Sequence, residues 1–299
     1  MDQWILMRGS DVSNPVLLWL HGGPGSAQMP IAHYYNGELE QAFIVVHWDQ
    51  RGAGKSNPRN FDEETMSFQQ YYSDAHEITR FLKERFNQDK IYLVGHSWGT
   101  QLGLALTRDY PEDYHAYIGV SQIVDPLLGH QVAYEWLVQQ MEEKAIEKDL
   151  RQSEELGNPP FYDHQKFVKF IRLVDAYGGG MDENMTRLVW IALHASEYTI
   201  SDYWAWLRGA NRGSGPMWES SLSFNAIEEV PQLLVPVYLF SGSNDYNTPV
   251  ELQEQYLQVL DAPQSKEMVR FEQSAHTPFI KEANKFNREL TRVKEETLH

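Results

Sequence analysis

One pentapeptide, Gly95-His96-Ser97-Trp98-Gly99, constrains the fold of this chain more than any other feature. It has the pattern GxSxG, it directly follows the apolar run Ile91 to Val94, and it precedes a segment with helical spacing. A serine hydroxyl is a weak nucleophile unless a sharp turn lifts it clear of the backbone and places it beside a base. Glycines are needed in such a turn because side chains would clash there. The sequence therefore predicts a strand–turn–helix corner with Ser97 at its tip.

Apolar runs rich in leucine or β-branched residues recur along the chain, with helical segments between them. The runs that predict buried strands are Val16 to Leu20, Phe43 to Trp48, Ile91 to Val94, Tyr117 to Val120 and Val235 to Phe240. The clearest helical segments are Phe68 to Phe86, Gln101 to Tyr110 and Pro249 to Leu260. Strand and helix in alternation predict an α/β fold with a mostly parallel, doubly wound sheet.

The alternation stops between residues 125 and 230. This stretch has no convincing strand pattern, but it contains helical segments rich in Trp, Tyr, Glu and Gln, and a glycine turn or hinge at Gly178 to Gly180. Because the strand pattern resumes at Val235, residues on both sides should build one sheet. We predict a core formed by 1–124 and 231–299, with 125–230 inserted as a helical cap over the carboxyl edge of the sheet.

A second glycine-rich motif, His21-Gly22-Gly23-Pro24-Gly25, follows the first predicted strand. In a sheet of this kind, that loop supplies one of two backbone N–H groups that stabilise a developing oxyanion, and the residue after the nucleophile supplies the other. We predict that these two donors belong to Gly23 and Trp98. The alternative is an ordinary glycine turn.

A nucleophilic serine needs a base and an acid, and this fold has them in the chain order Ser, Asp, His. Asp245 follows the strand that ends at Phe240, and His276 follows the strand-like segment Glu267 to Phe271. We therefore predict the triad Ser97, Asp245 and His276. Asp125, which follows the strand Tyr117 to Val120, is the rival acid.

Histidines outside the triad are expected to be structural. His130 belongs to this group, and His96 should support the turn rather than exchange protons.

Composition excludes several other classes of protein. The 299 residues include no cysteine, which rules out disulfides and thiolate sites and fits a reducing, cytoplasmic location. The net charge of −17 makes nucleic acid and anionic membrane surfaces poor partners. We expect no signal peptide, membrane span, metal site or cofactor. The expected partner is a small-molecule or short-peptide substrate, and the sequence does not indicate the oligomeric state.

With these motifs assembled, the chain resembles the proline iminopeptidase family of α/β-hydrolases. The resemblance rests on His21 to Gly25, on Asp49-Gln50-Arg51-Gly52-Ala53-Gly54-Lys55-Ser56, on the GxSxG corner, and on the loops around Asp245 and His276. It implies the α/β-hydrolase fold with a helical cap and removal of an N-terminal residue, often proline, from short peptides or amides. It also implies that the first strand of the family is short or missing here.

The same resemblance implies that acidic residues of the cap hold the free amine of the substrate. Glu197 and Glu219, each beside aromatic residues, are the candidates. Two other functions use the same fold. The first is a carboxylesterase that acts on small acyl esters with the same triad, and the second is a binding protein that has lost turnover.

Overall fold

The computed structural model describes residues 1–298, so only His299, at the end of the predicted second core segment, lies outside the described residues. A seven-stranded sheet forms the centre of the protein. The strands in chain order are β1 (Trp4–Arg8), β2 (Val16–Leu20), β3 (Ile44–Asp49), β4 (Ile91–His96), β5 (Tyr114–Val120), β6 (Val237–Gly242) and β7 (Lys266–Phe271). The predicted strands are all present, with small shifts at their ends.

The sheet has the order β1-β3-β2-β4-β5-β6-β7, and only the β1–β3 pair is antiparallel. Of the two alternatives expected for the first strand, short or missing, the structure has the short one, the five-residue strand β1 at the sheet edge. β2 and β4 are buried along their whole length, as continuous apolar runs predict for parallel strands. β1 instead leaves Trp4 and Met7 exposed, as a strand at the edge of the sheet can.

Thirteen α-helices surround the sheet in the described part of the chain. They are α1 (Met29–Tyr35), α2 (Phe68–Phe86), α3 (Gly99–Asp109), α4 (Pro126–Lys144), α5 (Glu147–Leu156), α6 (His164–Tyr177), α7 (Met185–Ala192), α8 (Ile200–Arg212), α9 (Trp218–Leu222), α10 (Ala226–Glu229), α11 (Val250–Val259), α12 (Pro278–Lys281) and α13 (Ala283–Thr297). None of the helices in residues 1–298 is both long and apolar enough to span a membrane.

The helix ends follow local side-chain chemistry. The Ser67 hydroxyl accepts the Gln70 N–H at the start of α2, and the Asp163 carboxylate accepts the Lys166 N–H at the start of α6. α6 ends at Gly178 with φ +90°, a left-handed conformation that favours glycine.

Two apolar layers bury the two faces of the sheet. In one of them, the C-terminal helix α13 places Phe286, Leu290 and Val293 against the sheet, and these side chains are fully buried. The Phe286 ring lies 5.7 Å from the ring of Trp19 and 5.3 Å from that of Phe240. The apolar face of α13 therefore covers the centre of the sheet.

All seven helices from α4 to α10 lie between β5 and β6 in the chain, and we call this stretch, residues 125–230, the helical insertion. It has a small apolar cluster of its own that includes Leu137, Met141 and Phe170. It also contacts the rest of the protein, since the Tyr198 hydroxyl donates to the buried carboxylate of Asp49 at 2.5 Å. Its role as a separate cap remains a prediction.

Truncation of Phe286 tests the packing of α13. Phe286→Ala should lower the free energy of unfolding by about 3 to 5 kcal/mol, because it leaves a cavity among aromatic rings. Phe81→Ala is the control, since that ring is 46% exposed on α2 and its loss should cost less than about 1 kcal/mol. Urea unfolding followed by circular dichroism measures both, and equal losses would contradict the packing described here.

Candidate active site

The corner between β4 and α3 has the strained geometry that the GxSxG pattern predicts. Ser97 has φ +52°, a left-handed value that is costly for a residue with a side chain. A Cβ on Gly99 would lie 2.3 Å from the carbonyl oxygen of Leu20, and one on Gly95 would lie 2.7 Å from the carbonyl oxygen of Gly99. Only glycine fits at both positions. The Ser97 N–H donates to the carbonyl of Val120 at 3.0 Å, which fixes the corner against the end of β5.

The loop after β2 packs directly against this corner. A Cβ on Gly22 would lie 3.0 Å from the Ser97 Cβ, so glycine permits the close approach. Gly23, with φ +114°, and Trp98 line the same cavity as Ser97. Within residues 1–298, the N–H groups of Gly23 and Trp98 donate to no protein acceptor. Two unused backbone donors therefore border the serine.

The loops after β6 and β7 bring Asp245 and His276 together. The His276 Nδ1 lies 3.0 Å from Oδ2 and 3.2 Å from Oδ1 of Asp245. The Asp245 carboxylate is fully buried, and it also accepts the N–H groups of Asn247 and Thr248, each at 2.9 Å, and the Thr248 hydroxyl at 2.7 Å. These hydrogen bonds fix the carboxylate against the ring and define the nitrogen that carries the proton.

Burial and the neighbouring groups act in opposite directions on the pKa values of Asp245 and His276. Burial by itself would raise the pKa of Asp245, but the His276 ring and the hydrogen bonds from Thr248 outweigh it, and the pKa is lowered. Burial opposes protonation of His276, yet the carboxylates of Asp245, Asp175 and Asp182 raise its pKa above the ordinary value. An imidazolium at this position is therefore stabilised.

Ser97 and His276 lie in the wall of one cavity. In the described chain the His276 ring makes hydrogen bonds to Asp245 and lies 3.5 Å from the Thr248 hydroxyl, and no hydrogen bond joins it to the Ser97 hydroxyl. Proton transfer between Ser97 and His276 thus requires a closer approach, which in such sites often occurs only when substrate binds.

His96 is a neutral structural group beneath the corner. Its Nε2 lies 3.0 Å from the carbonyl oxygen of His276, and its Nδ1 lies 3.0 Å from the Gln28 side-chain nitrogen. A ring that donates through Nε2 and accepts through Nδ1 satisfies both contacts. Burial, and then the nearby His276 charge, lower the pKa of His96 to about 3. Its contact is with the backbone of His276, and we assign it no part in proton transfer.

The cavity has a volume of about 540 Å³, and apolar side chains such as Ile31, Ile123 and Leu207 form much of its wall. Two carboxylates also line it, Asp125 and Asp175. Asp125 caps α4: its Oδ1 accepts the Leu128 N–H at 3.0 Å, and its Oδ2 lies 3.4 Å from the Asn225 amide nitrogen. The rival acid is therefore engaged in a helix cap, and the structure brings Asp245, not Asp125, to His276.

The structure does not bring Glu197 or Glu219 to the cavity wall. Glu197 pairs with Arg8 of the edge strand, because Lys55 Nζ donates to its carbonyl and the adjacent Tyr198 is tied to Asp49. Glu219 is exposed on α9. Aromatic neighbours in the sequence therefore did not indicate where either carboxylate lies in the fold.

Sequence reasoning missed two residues of the cavity wall. Asp175 lies near the end of α6, half-buried, and burial raises its pKa. The only sequence signal for it is the glycine run that begins three residues later, which ends the helix at the cavity. His130, expected to be an ordinary structural histidine, is buried in the wall beside Trp218 with an interplanar angle of 11°, and burial lowers its pKa to about 4.

Residues 15–283 match the family described as having the alpha/beta hydrolase fold. The chain belongs to the α/β-hydrolase fold family. The mostly parallel sheet and the strand–turn–helix corner agree with this assignment, and the predicted fold class is confirmed.

Similar proteins narrow the resemblance within these α/β-hydrolases. The chain is 34% identical to the probable aminopeptidase YbaC of Bacillus subtilis, over 97% of this chain and 92% of that protein. It is 26% identical to a proline iminopeptidase of Heyndrickxia coagulans, over 91% and 87% of the two chains. The crystal structure of a proline iminopeptidase-related protein from Thermus thermophilus covers 99% of both chains, with a TM-score of 0.64 and 19% identity. The expected resemblance to proline iminopeptidases is confirmed, and the protein is a hydrolase of the α/β-hydrolase family.

The buried, neutral state of His96 predicts a pH dependence of stability. Its pKa is about 3 in the folded protein, and about 6.5 in the unfolded chain. The unfolded state therefore binds the additional proton between these values, so the contribution of His96 is complete above about pH 6.5 and is lost as the pH falls. From pH 7 to pH 5, wild type should lose about 2 kcal/mol more of its free energy of unfolding than His96→Gln. Urea unfolding at both pH values measures this, and parallel losses in the two proteins would contradict it.

Proposed function

We propose that this α/β-hydrolase is a serine aminopeptidase of proline iminopeptidase type, which releases an N-terminal residue from short peptides or amides through an acyl-enzyme. The observation that carries the proposal is a single cavity whose wall contains Ser97, His276 and the half-buried carboxylate of Asp175. The names of the similar aminopeptidases support the same reaction. The absence of cysteine supports a cytoplasmic location.

In this mechanism the Ser97 Oγ attacks the carbonyl carbon of the scissile amide, while the His276 ring takes the hydroxyl proton. The tetrahedral intermediate collapses when the C–N bond breaks, and the imidazolium gives its proton to the leaving amine. Water then attacks the Ser97 ester with His276 again as the base, which releases the amino acid and restores the hydroxyl. Asp245 keeps the ring in the required tautomer through Nδ1 and stabilises its charged form.

The free N–H groups of Gly23 and Trp98 stabilise the negative oxygen of both tetrahedral intermediates. They are fixed before substrate arrives, since the packing of Gly22 on the corner sets the position of the loop. Loss of one such donor typically costs about 3 to 4 kcal/mol of transition-state stabilisation. The backbone of this loop therefore matters as much as a catalytic side chain.

Asp175 is the group we assign to the free amine of the substrate. Its Oδ1 accepts the Met181 N–H at 2.8 Å, and no hydrogen bond from the described residues reaches its Oδ2. Burial raises its pKa, so its carboxylate is stabilised further when an ammonium group binds beside it. Asp125, by contrast, has Oδ1 engaged in the cap of α4 and Oδ2 beside the Asn225 amide nitrogen.

A carboxylesterase is the second candidate function. The apolar wall of the cavity favours it, because a short acyl chain can be buried there without a charged partner. Ester and amide cleavage share the acyl-enzyme route, so the same triad serves both reactions. The requirement for a free amine separates them.

Removal of the nucleophile tests the reaction. Ser97→Ala should lower the turnover of proline p-nitroanilide, or of another aminoacyl anilide, by roughly 1000-fold or more, because no acyl-enzyme can form. Ser220→Ala, which removes an exposed hydroxyl on α9, is the matched control and should keep wild-type turnover. Release of p-nitroaniline is followed by absorbance. Activity that survives in Ser97→Ala would exclude the mechanism.

Removal of the Asp175 charge tests the choice of substrate. Asp175→Asn should raise the KM for a free aminoacyl anilide by roughly 10- to 100-fold, the loss expected for one hydrogen bond to a charged group. A short acyl ester without an amine should show an unchanged KM. Glu219→Gln is the control carboxylate on the exposed face of α9. If wild type cleaves N-acetylated and free substrates equally well, the aminopeptidase is rejected, and if it cleaves only esters, the esterase is the correct function.

A further inference from the structure

A short stretch of the helical insertion holds both loops that carry the acid and the base. We call residues 178–182, which follow α6, the bridging loop. The carbonyl of Gly179 accepts the N–H of Tyr246, the residue after Asp245, at 2.8 Å. The carbonyl of Gly180 accepts the N–H of His276 itself at 3.0 Å. The insertion thus contacts the catalytic loops through backbone hydrogen bonds.

Asp182, at the end of the bridging loop, accepts hydrogen bonds from the residues on both sides of His276. Its Oδ1 accepts the Ala275 N–H at 2.8 Å, and its Oδ2 accepts the Thr277 N–H at 2.8 Å. The Thr277 hydroxyl donates to Oδ2 at 3.0 Å and accepts the Asp182 N–H at 3.2 Å. Hydrogen bonds to an ionised carboxylate are shorter and stronger than neutral ones. Three consecutive residues centred on His276 are therefore held by one loop.

The bridging loop is packed too tightly to act as a free hinge. A Cβ on Gly180 would lie 1.8 Å from the Asp175 Oδ1, and one on Gly179 would lie 2.6 Å from the Trp136 ring. The glycine run, which in the sequence indicated a turn or hinge, is a turn that lets the loop pass close to the His276 loop. Its position is set by contacts on both sides.

In the described residues, the hydrogen bonds to the carboxylate of Asp182 come from the His276 loop alone. In the described part of the chain, no lysine or arginine forms an ion pair with it, and its hydrogen bonds all go to Ala275 and Thr277. It does not start a helix, since α7 is capped by the Asn184 side chain. Burial raises the pKa of Asp182, and the donors around His276 compensate for that cost.

We propose that Asp182 is a positioning residue for His276, supplied by the helical insertion, which sets the direction of the imidazole toward Ser97. The inference rests on the proposed function in one respect only, that His276 is the base. It does not depend on whether the substrate is an amide or an ester. The insertion is then part of the catalytic apparatus as well as a wall of the cavity.

The charge of Asp182 allows a test by the pH dependence of kcat/KM, which a purely structural role would not change. The ionisable groups that face the His276 ring are Asp245 after β6, Asp175 at the end of α6, Asp182 in the bridging loop, and the neutral His96 of β4. The three carboxylates raise the pKa of His276. Since only neutral His276 can accept the Ser97 proton, loss of one carboxylate should move the acid limb of kcat/KM to lower pH.

The test compares Asp182→Asn with Glu183→Gln, which removes the adjacent carboxylate that pairs with Arg187 instead. Asp182→Asn keeps the shape of the side chain but places an N–H₂ group against a backbone donor. Its kcat should fall by roughly 10- to 100-fold, as expected for a misplaced base, with KM within a factor of about three. Its acid limb should move to lower pH. Glu183→Gln should match wild type in both respects.

The measurements use an aminoacyl anilide and a short acyl ester in parallel, with the rate of labelling by a fluorophosphonate as a third readout. If wild type cleaves the ester but not the anilide, the proposed peptidase function is rejected. The Asp182 proposal is then decided by ester turnover and by the rate of fluorophosphonate labelling. An Asp182→Asn protein that folds, by circular dichroism, and keeps the kcat, the labelling rate and the acid limb of wild type would overturn the proposal. A rise in KM with unchanged kcat would also overturn it, because it would place Asp182 in substrate binding.

If Asp182→Asn does not fold, Thr277→Val decides. It removes only the hydroxyl that donates to Asp182 and accepts its N–H, and leaves the carboxylate in place. A fall in kcat of roughly 3- to 10-fold, with folding intact, supports the positioning role. A wild-type kcat in Thr277→Val would reject it.

Discussion

The carboxyl ends of parallel strands meet at one edge of the sheet, and every contact at the cavity depends on this constraint. β4 ends at His96, directly before Ser97, and the loops after β6 and β7 carry Asp245 and His276. The end of β5 lies between β4 and β6 and joins them, because the carbonyl of Val120 accepts the Ser97 N–H and the Ser121 N–H donates to the carbonyl of Phe240. The Ser121 hydroxyl also donates to the carbonyl of His276. Residues far apart in the chain are thereby held at one cavity by hydrogen bonds from the sheet itself.

Several hydrogen-bond donors offset the free-energy cost of burying carboxylates at this edge. A fully buried carboxylate is unfavourable unless it is hydrogen-bonded, and Asp245 accepts bonds from two backbone N–H groups, the Thr248 hydroxyl and the His276 ring. Asp182 is satisfied in the same way from the opposite side of the histidine loop. The two carboxylates hold that loop between the core and the helical insertion. Under the proposed mechanism, this arrangement favours a rigid base at His276 and leaves the adjustment to Ser97.

Most of the sheet and the corner could be predicted because their physical causes are local. A strand buried on both faces must be apolar throughout, as in β2 and β4, and the corner requires glycines at Gly95 and Gly99, where a Cβ would meet backbone oxygens. The edge strand β1 also carries an apolar run, Trp4 to Met7, but it is half-exposed and was not among the predicted strands. Chain order and loop position sufficed to predict that Asp245 and His276 would be neighbours.

The residues of the helical insertion could not be predicted in the same way, because their positions follow from tertiary packing. Glu197 was expected near a substrate amine, but the contacts of its neighbour Tyr198 with Asp49 place it beside Arg8. Asp175 and Asp182 flank a glycine run that indicated only a turn. Both residues are placed by the end of α6, which lies against the loop of His276. The pattern of apolar residues along the chain does not predict this contact.

The central claim is that Ser97 is made reactive by His276. Peptide mapping by mass spectrometry after treatment with a fluorophosphonate tests it most directly, in wild type and in His276→Ala. The account predicts a single adduct on the peptide that contains Ser97 in wild type, and labelling that is slower by orders of magnitude without the imidazole. An adduct on another residue, or equally fast labelling of Ser97 in His276→Ala, would contradict it.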